Sequence, residues 1–165
     1  MGIGEFIMEF MILNRTQITK ISPEVPHVVI SITETEKRFP TVKGMKNDNK
    51  NLKGVLRQKY TDEDDVEDAK FRGQRWMMMS DEQAREVLDF VDIQKDDIEL
   101  IVCQCDGGVC RSSATAAALS VILNGSRTDN WIFQNGSPYV PNMYVYRKIL
   151  VTKMMDELER IEKEK

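Results

Sequence analysis

Hydrophobic and polar positions along the 165 residues switch between a period near two and one near three and a half, and the switches give an order of elements. Met11-Ile12-Leu13 predicts a short first strand, followed by a polar helical turn around Arg15–Ile21. His27-Val28-Val29-Ile30-Ser31-Ile32 predicts a second strand, entered through Pro23 and Pro26. Thr33–Asn51 is charged and carries Gly44, so it reads as a surface excursion. Val55–Tyr60 predicts a third strand that runs into the acidic loop Thr61–Asp65. Ser80, with Gln83 three residues on, has capping-box spacing. Ala84, Val87, Leu88 and Val91 then place one apolar stripe on a helix. Ile98–Cys103 is a short apolar run, the pattern of a strand buried on both faces. The alanine-rich Ser113–Leu123 predicts a helix ended by Asn124-Gly125. Asn142 caps a final helix with Ile149, Leu150, Met154, Leu158 and Ile161 as its expected buried face. Strands alternating with helices imply an α/β fold: a single domain with a mainly parallel central sheet and helices on both faces.

Composition narrows the functional classes. Apolar content of 41% and charged content of 30% suit one soluble domain with a proper core. A net charge of -4 argues against nucleic acid as a main partner. No apolar run is long enough to span a bilayer, and no signal peptide is recognisable, so no membrane partner is expected. Residues 1–10 are expected to be a leader, appended at least over Met1–Ile7, with the domain occupying 11–165. The three cysteines fall within eight residues, which does not suit a disulfide framework. A reducing, cytoplasmic setting is the expectation.

The chemistry concentrates in Cys105-Asp106-Gly107-Gly108-Val109-Cys110-Arg111-Ser112. A strand, a glycine-bearing loop and a helix N-terminus form an anion site, because backbone N–H groups and the positive helix end converge there. A cysteine at such a strand end sits where its thiolate is favoured. The C-x5-R spacing alone would arise by chance roughly one time in five in a chain of this composition. Adding Gly108, Ser112 and the strand–loop–helix setting lowers this to about one per cent.

These residues resemble the active-site motif C-x2-G-x2-R-[ST] of the cysteine-dependent protein tyrosine phosphatases, in particular the small dual-specificity branch and its prokaryotic relatives. Cys105, Gly108, Arg111 and Ser112 fill its four places. The resemblance implies a phosphomonoester hydrolase in which Cys105 forms a thiophosphoryl intermediate. It implies that the amides of Asp106, Gly107, Gly108, Val109, Cys110 and Arg111 hold the phosphate, with Arg111 as a bidentate clamp. Ser112 would hydrogen-bond the sulfur as it leaves. A general acid is expected on the loop after an upstream strand; Asp62 fits best, with Asp64 and Asp65 as alternatives. The implied substrate is a phosphorylated protein or small phosphomonoester. No metal or other cofactor is called for, and no metal-ligand spacing occurs.

The chain departs from the family pattern in three places. Gln104 stands where a histidine usually precedes the nucleophile, leaving the thiolate less favoured. Asp106 brings a carboxylate to a dianion site and is expected to repel polyanions such as phosphoinositides. Cys110 is unusual within the loop, and reads either as inert packing or as a resolving thiol for an oxidised Cys105. Cys103 is expected to fill the core, and the lone His27 to be structural. Trp76-Met77-Met78-Met79 fits core or lid packing better than a substrate groove. Phe71–Arg75 reads as a solvated loop. Glu63–Trp76 as a whole suits either an ordered lid or a floppy excursion. Two alternative functions share the loop: a non-catalytic phosphate-binding module, and thiol-dependent arsenate reduction or sulfur transfer.

Overall fold

The computed structural model describes residues 7–46 and 49–165. Four strands, β1 (Glu9–Leu13), β2 (His27–Thr33), β3 (Leu52–Lys59) and β4 (Leu100–Gln104), form one sheet in the order β1-β4-β2-β3. Every neighbouring pair is parallel. The helices are α1 (Val66–Phe71), α2 (Asp81–Gln94), α3 (Arg111–Asn124), α4 (Asn130–Phe133) and α5 (Met143–Lys163). The expected α/β architecture around a parallel sheet is present.

The two faces of the sheet are covered unequally. Val28, Ile30 and Ile32 of β2 and Ile101 and Cys103 of β4 pack into the larger core with α2, α3 and α5. On the opposite face Val29, Leu100 and Val102 meet Ile18 and Val42. Ile18 lies on a single 3-10 turn, Gln17–Thr19, and Val42 on the segment after β2. One turn therefore supplies the helical cover on that side, and the excursion after β2 is anchored by a buried valine.

α3 is buried from Arg111 to Ser120 on all sides, which its small residues permit. Two of its buried hydroxyls bond back toward its start: Ser113 Oγ donates to the Val109 carbonyl at 2.5 Å and Thr115 Oγ1 to that of Arg111 at 2.9 Å. The capping box of α2 forms as its spacing predicts, with Ser80 and Gln83 exchanging hydrogen bonds of 3.0 and 3.1 Å. The buried face expected for α5 is corrected. Val145, Ile149 and Thr152 are buried, whereas Met154, Leu158 and Ile161 are 60%, 52% and 47% exposed, because the second half of α5 reaches beyond its packing partners.

β1 starts at Glu9, two residues before the predicted Met11. Met8 is buried, and its N–H and carbonyl both bond the Asn124 side chain at 2.9 Å. Residues 8–10 of the expected leader are thus built into the fold, while residues 1–6 lie outside the described residues. Among the described residues no helix is long and apolar enough to cross a membrane.

Two predictions follow from this packing. Leu119→Ala is expected to lower stability by about 3 kcal/mol in urea denaturation, and Leu158→Ala by less than about 0.5 kcal/mol. His27 is buried at the start of β2; Nδ1 donates to the Val25 carbonyl at 2.8 Å and Nε2 has no partner. Burial holds its pKa below the ordinary 6.5, so the unfolded chain takes up the proton first. Stability contributed by neutral His27 is present above pH 6.5 and is lost as pH falls from there through the lowered folded value. Denaturation midpoints across that window should slope for the wild type and flatten for His27→Asn.

Candidate active site

β4 lies between β1 and β2, so the loop leaving its carboxyl end emerges between the ends of both neighbours. The Cys105 N–H donates to the Leu13 carbonyl and the Arg15 N–H to the Asp106 carbonyl, each at 3.3 Å. Gly108 has φ +66°, and a Cβ there would lie 2.8 Å from the Asn14 nitrogen. Both the backbone conformation and the close approach require glycine. The loop then enters α3 at Arg111, with Cys110 as the residue before its first turn.

Cys105 is buried, and its Sγ lies 3.1 Å from Oγ of the fully buried Ser112. Arg111 is also buried. Its Nη1 donates to the Tyr60 carbonyl at 2.9 Å and lies 3.1 Å from Glu34 Oε1. Its Nη2 is 3.5 Å from Asp106 Oδ2. Nε is buried without a partner. Buried donors are normally paired; this one is open on the side chain that enters α3 from the loop.

Asp106 does not stand free beside the loop. Its Oδ1 accepts from Thr33 Oγ1 at 2.8 Å and from Arg15 at 3.0 Å, and its Oδ2 accepts from the Glu34 N–H at 3.0 Å. Burial would raise its pKa, but the bonds from Thr33, Glu34 and Arg15 and the charge of Arg111 outweigh it and hold the carboxyl below its usual range. The guanidinium groups of Arg15 and Arg111 both stand beside this carboxylate.

The acidic loop is ordered, and its members part company. Asp62 Oδ1 accepts from Asn142 Nδ2 at 3.0 Å, and the Asn142 N–H donates to the Cys110 carbonyl at 3.0 Å. This chain of bonds ties Asp62 to the loop. Asp65 instead caps α1, accepting from the Asp68 N–H at 3.0 Å. Asp64 is exposed, and Glu63 binds the N–H groups of Asp64 and Asp65 and pairs with Arg72. Glu63–Trp76 is thus a structured segment, held to the body by the Thr61 N–H on the Met77 carbonyl at 2.7 Å.

Cys103 is fully buried in the larger core, and burial pushes its thiol pKa upward. Burial first, and the Asp62 carboxylate next, push the Cys110 thiol up to about 11. Gln104 is buried and accepts from Ser31 Oγ at 2.5 Å across the β2–β4 register. Met78 and Met79 belong to the core, while Trp76 is 76% and Phe71 91% exposed. Among the described residues no group of three or more His, Cys, Asp or Glu side chains is arranged to hold a metal ion.

Sequence reasoning did not find Arg15, Thr33, Glu34 and the Tyr60 carbonyl, all of which hold Asp106 or Arg111. They lie at or just beyond the carboxyl ends of the three other strands, and only strand order, which the sequence does not display, brings them to the loop. Asn142 was legible as a helix cap; its second role on Asp62 depends on the position of α5.

With this geometry in place, the chain superposes on a solved structure described as the crystal structure of Tk-PTP in the active form. The TM-score is 0.50 at 15% sequence identity, covering 86% of this chain and 89% of that chain. The fold is protein tyrosine phosphatase-like. No protein-family model and no curated protein matches the sequence.

Gly108→Ala is expected to cost about 2 kcal/mol or more, since the left-handed conformation alone costs a Cβ residue about 1–2 kcal/mol. Denaturation and calorimetric titration with inorganic phosphate would show this as lower stability together with lost binding. Iodoacetamide should modify Cys110 appreciably only at strongly alkaline pH, because the reactive form is the thiolate. Asp62→Asn should move that onset to lower pH, as read by mass spectrometry at Cys110.

Proposed function

We propose that the protein is a cysteine-dependent phosphomonoester hydrolase of the tyrosine or dual-specificity phosphatase type. What carries this reading is the buried Arg111 guanidinium, with an open Nε, one residue before Ser112 and its 3.1 Å contact with Cys105 Sγ. In the first step the Cys105 thiolate attacks phosphorus. The P–S bond forms as the P–O bond to the leaving group breaks, and Asp62 delivers a proton to the departing oxygen. Loop amides from Asp106 to Arg111 and the Arg111 side chain carry the charge on the phosphoryl oxygens. In the second step Asp62 takes a proton from water, water attacks phosphorus, and sulfur leaves with a hydrogen bond from Ser112.

The surrounding structure supports these roles. Glu34, Asp106 and the Tyr60 carbonyl fix one end of the guanidinium, so its approach to a phosphate needs little further ordering. Asn142 ties Asp62 to the loop through a side chain that is itself buried. The full burial of Cys103 leaves Cys110 as the one thiol able to partner Cys105, and its raised pKa disfavours the relay that arsenate reduction needs.

Turnover of an aryl phosphate between pH 5 and 8 in reductant tests the reading. Cys105→Ser is expected to abolish it. Asp62→Asn is expected to lower kcat about 100-fold on phenyl phosphate, within the range for loss of a general acid, and less on an ester with a more acidic leaving group. Turnover that survives in Cys105→Ser would sink the covalent mechanism. Phosphate binding without turnover in the wild type would leave a recognition module instead.

A further inference from the structure

Charge is distributed unevenly on the two sides of the loop. Residues 33–60 carry eight cations against three carboxylates, although the chain as a whole has a net charge of -4. Residues 62–68 carry six carboxylates and no cation. Hydrogen bonds fix where these stretches sit. Arg15 joins the Arg38 carbonyl to Asp106, and Lys37 Nζ lies 3.9 Å from Asp106 Oδ2. Lys59 directly precedes Tyr60, whose carbonyl holds Arg111. On the other side, Asp62 reaches the Cys110 carbonyl through Asn142. Lys37, Arg38, Arg57 and Lys59, near the carboxyl ends of β2 and β3, therefore flank the loop on the Asp106 side, and Asp62 flanks it at Cys110.

The basic side is open to solvent. Arg38, Arg57 and Lys59 are exposed and have no ion-pair partner among the described residues. The Arg57 and Lys59 cations lie 5.6 and 5.0 Å from the Phe39 ring centre, which holds them beside one another. Of the carboxylates nearby, Glu34 is engaged by Arg111, leaving exposed Glu36.

Resting on the phosphatase reading, we propose that the substrate is a phosphopeptide of fixed polarity. Its acidic residues lie on one side of the phosphoresidue, over Lys37, Arg38, Arg57 and Lys59, and neutral or basic residues lie on the other, facing Asp62–Asp68. A uniformly anionic partner fits poorly. A lipid surface or nucleic acid that met the cations would bring further negative charge against Asp62, Asp64 and Asp65, the three of these carboxylates with no ion-pair partner among the described residues. Fields of this kind act on capture of the substrate, and so on kcat/KM, and weaken with salt.

The test uses the full chain and phosphopeptides, in phosphotyrosine and phosphoserine versions, with four flanking layouts. These are acidic before and basic after the phosphoresidue, the reverse, acidic on both sides, and neutral. One of the two one-sided peptides is expected to exceed its mirror image and the neutral and doubly acidic peptides by about tenfold in kcat/KM relative to an aryl phosphate. Arg38→Glu combined with Lys59→Glu should cut that ratio by about tenfold, as should raised salt. Binding of the same peptides to Cys105→Ser reads the surface without turnover, so a failure of the phosphatase chemistry is seen separately. Equal handling of the mirror-image peptides, or a doubly acidic peptide as the best ligand, would overturn the proposal. So would Arg38- and Lys59-dependent binding of phosphatidylserine vesicles or an oligonucleotide without any peptide preference.

Discussion

Because β4 is hydrogen-bonded to β1 on one side and β2 on the other, whatever leaves its carboxyl end must pass between the ends of those two strands. The loop is consequently shaped from outside. Asn14 of the β1 end lies against Gly108, and Thr33 and Glu34 of the β2 end take the Asp106 carboxylate. Neither arrangement could come from the loop and α3 alone. A strand–loop–helix unit provides the loop, and the neighbouring strand ends hold it in shape.

Electrostatic balance is the second requirement. A buried arginine needs partners or its charge becomes costly, yet one fully paired would have nothing left for a ligand. Arg111 resolves this by division: Nη1 and Nη2 are occupied within the protein and Nε is open. Asp106 is the counterpart that makes this tolerable, and the bonds from Thr33, the Glu34 amide and Arg15 in turn outweigh its burial and favour its ionised form. A carboxylate that looks out of place when read in line becomes a support for the buried arginine.

The sequence displayed local features and concealed relational ones. The capping box at Ser80, the cap at Asn142 and the strand–loop–helix around Cys105 are each written within a few residues, and each is present. Strand order is not local, so the ring of Arg15, Thr33, Glu34 and Tyr60 around the site was invisible. The face of α5 was misjudged because its apolar period continues past the point where its partners end. α1 escaped notice because it is only six residues long, and its acidic first turn reads as loop until Asp65 is seen to cap it.

The side-chain amide of Asn124 treats Met8 as a strand would, meeting its N–H and carbonyl across 116 positions of chain. Arg15 and Asp106 are linked across 91. Contacts of such span close late, since the loop entropy must be lost before they form. An assembling chain can therefore hold β4, Cys105 and α3 together before β1 arrives. Until it does, Gly108 has no Asn14 to curl against, and the cysteine is present without the ring that surrounds it. The completed loop would be the last feature acquired on folding in this architecture, and the N-terminal strand is the piece that closes it.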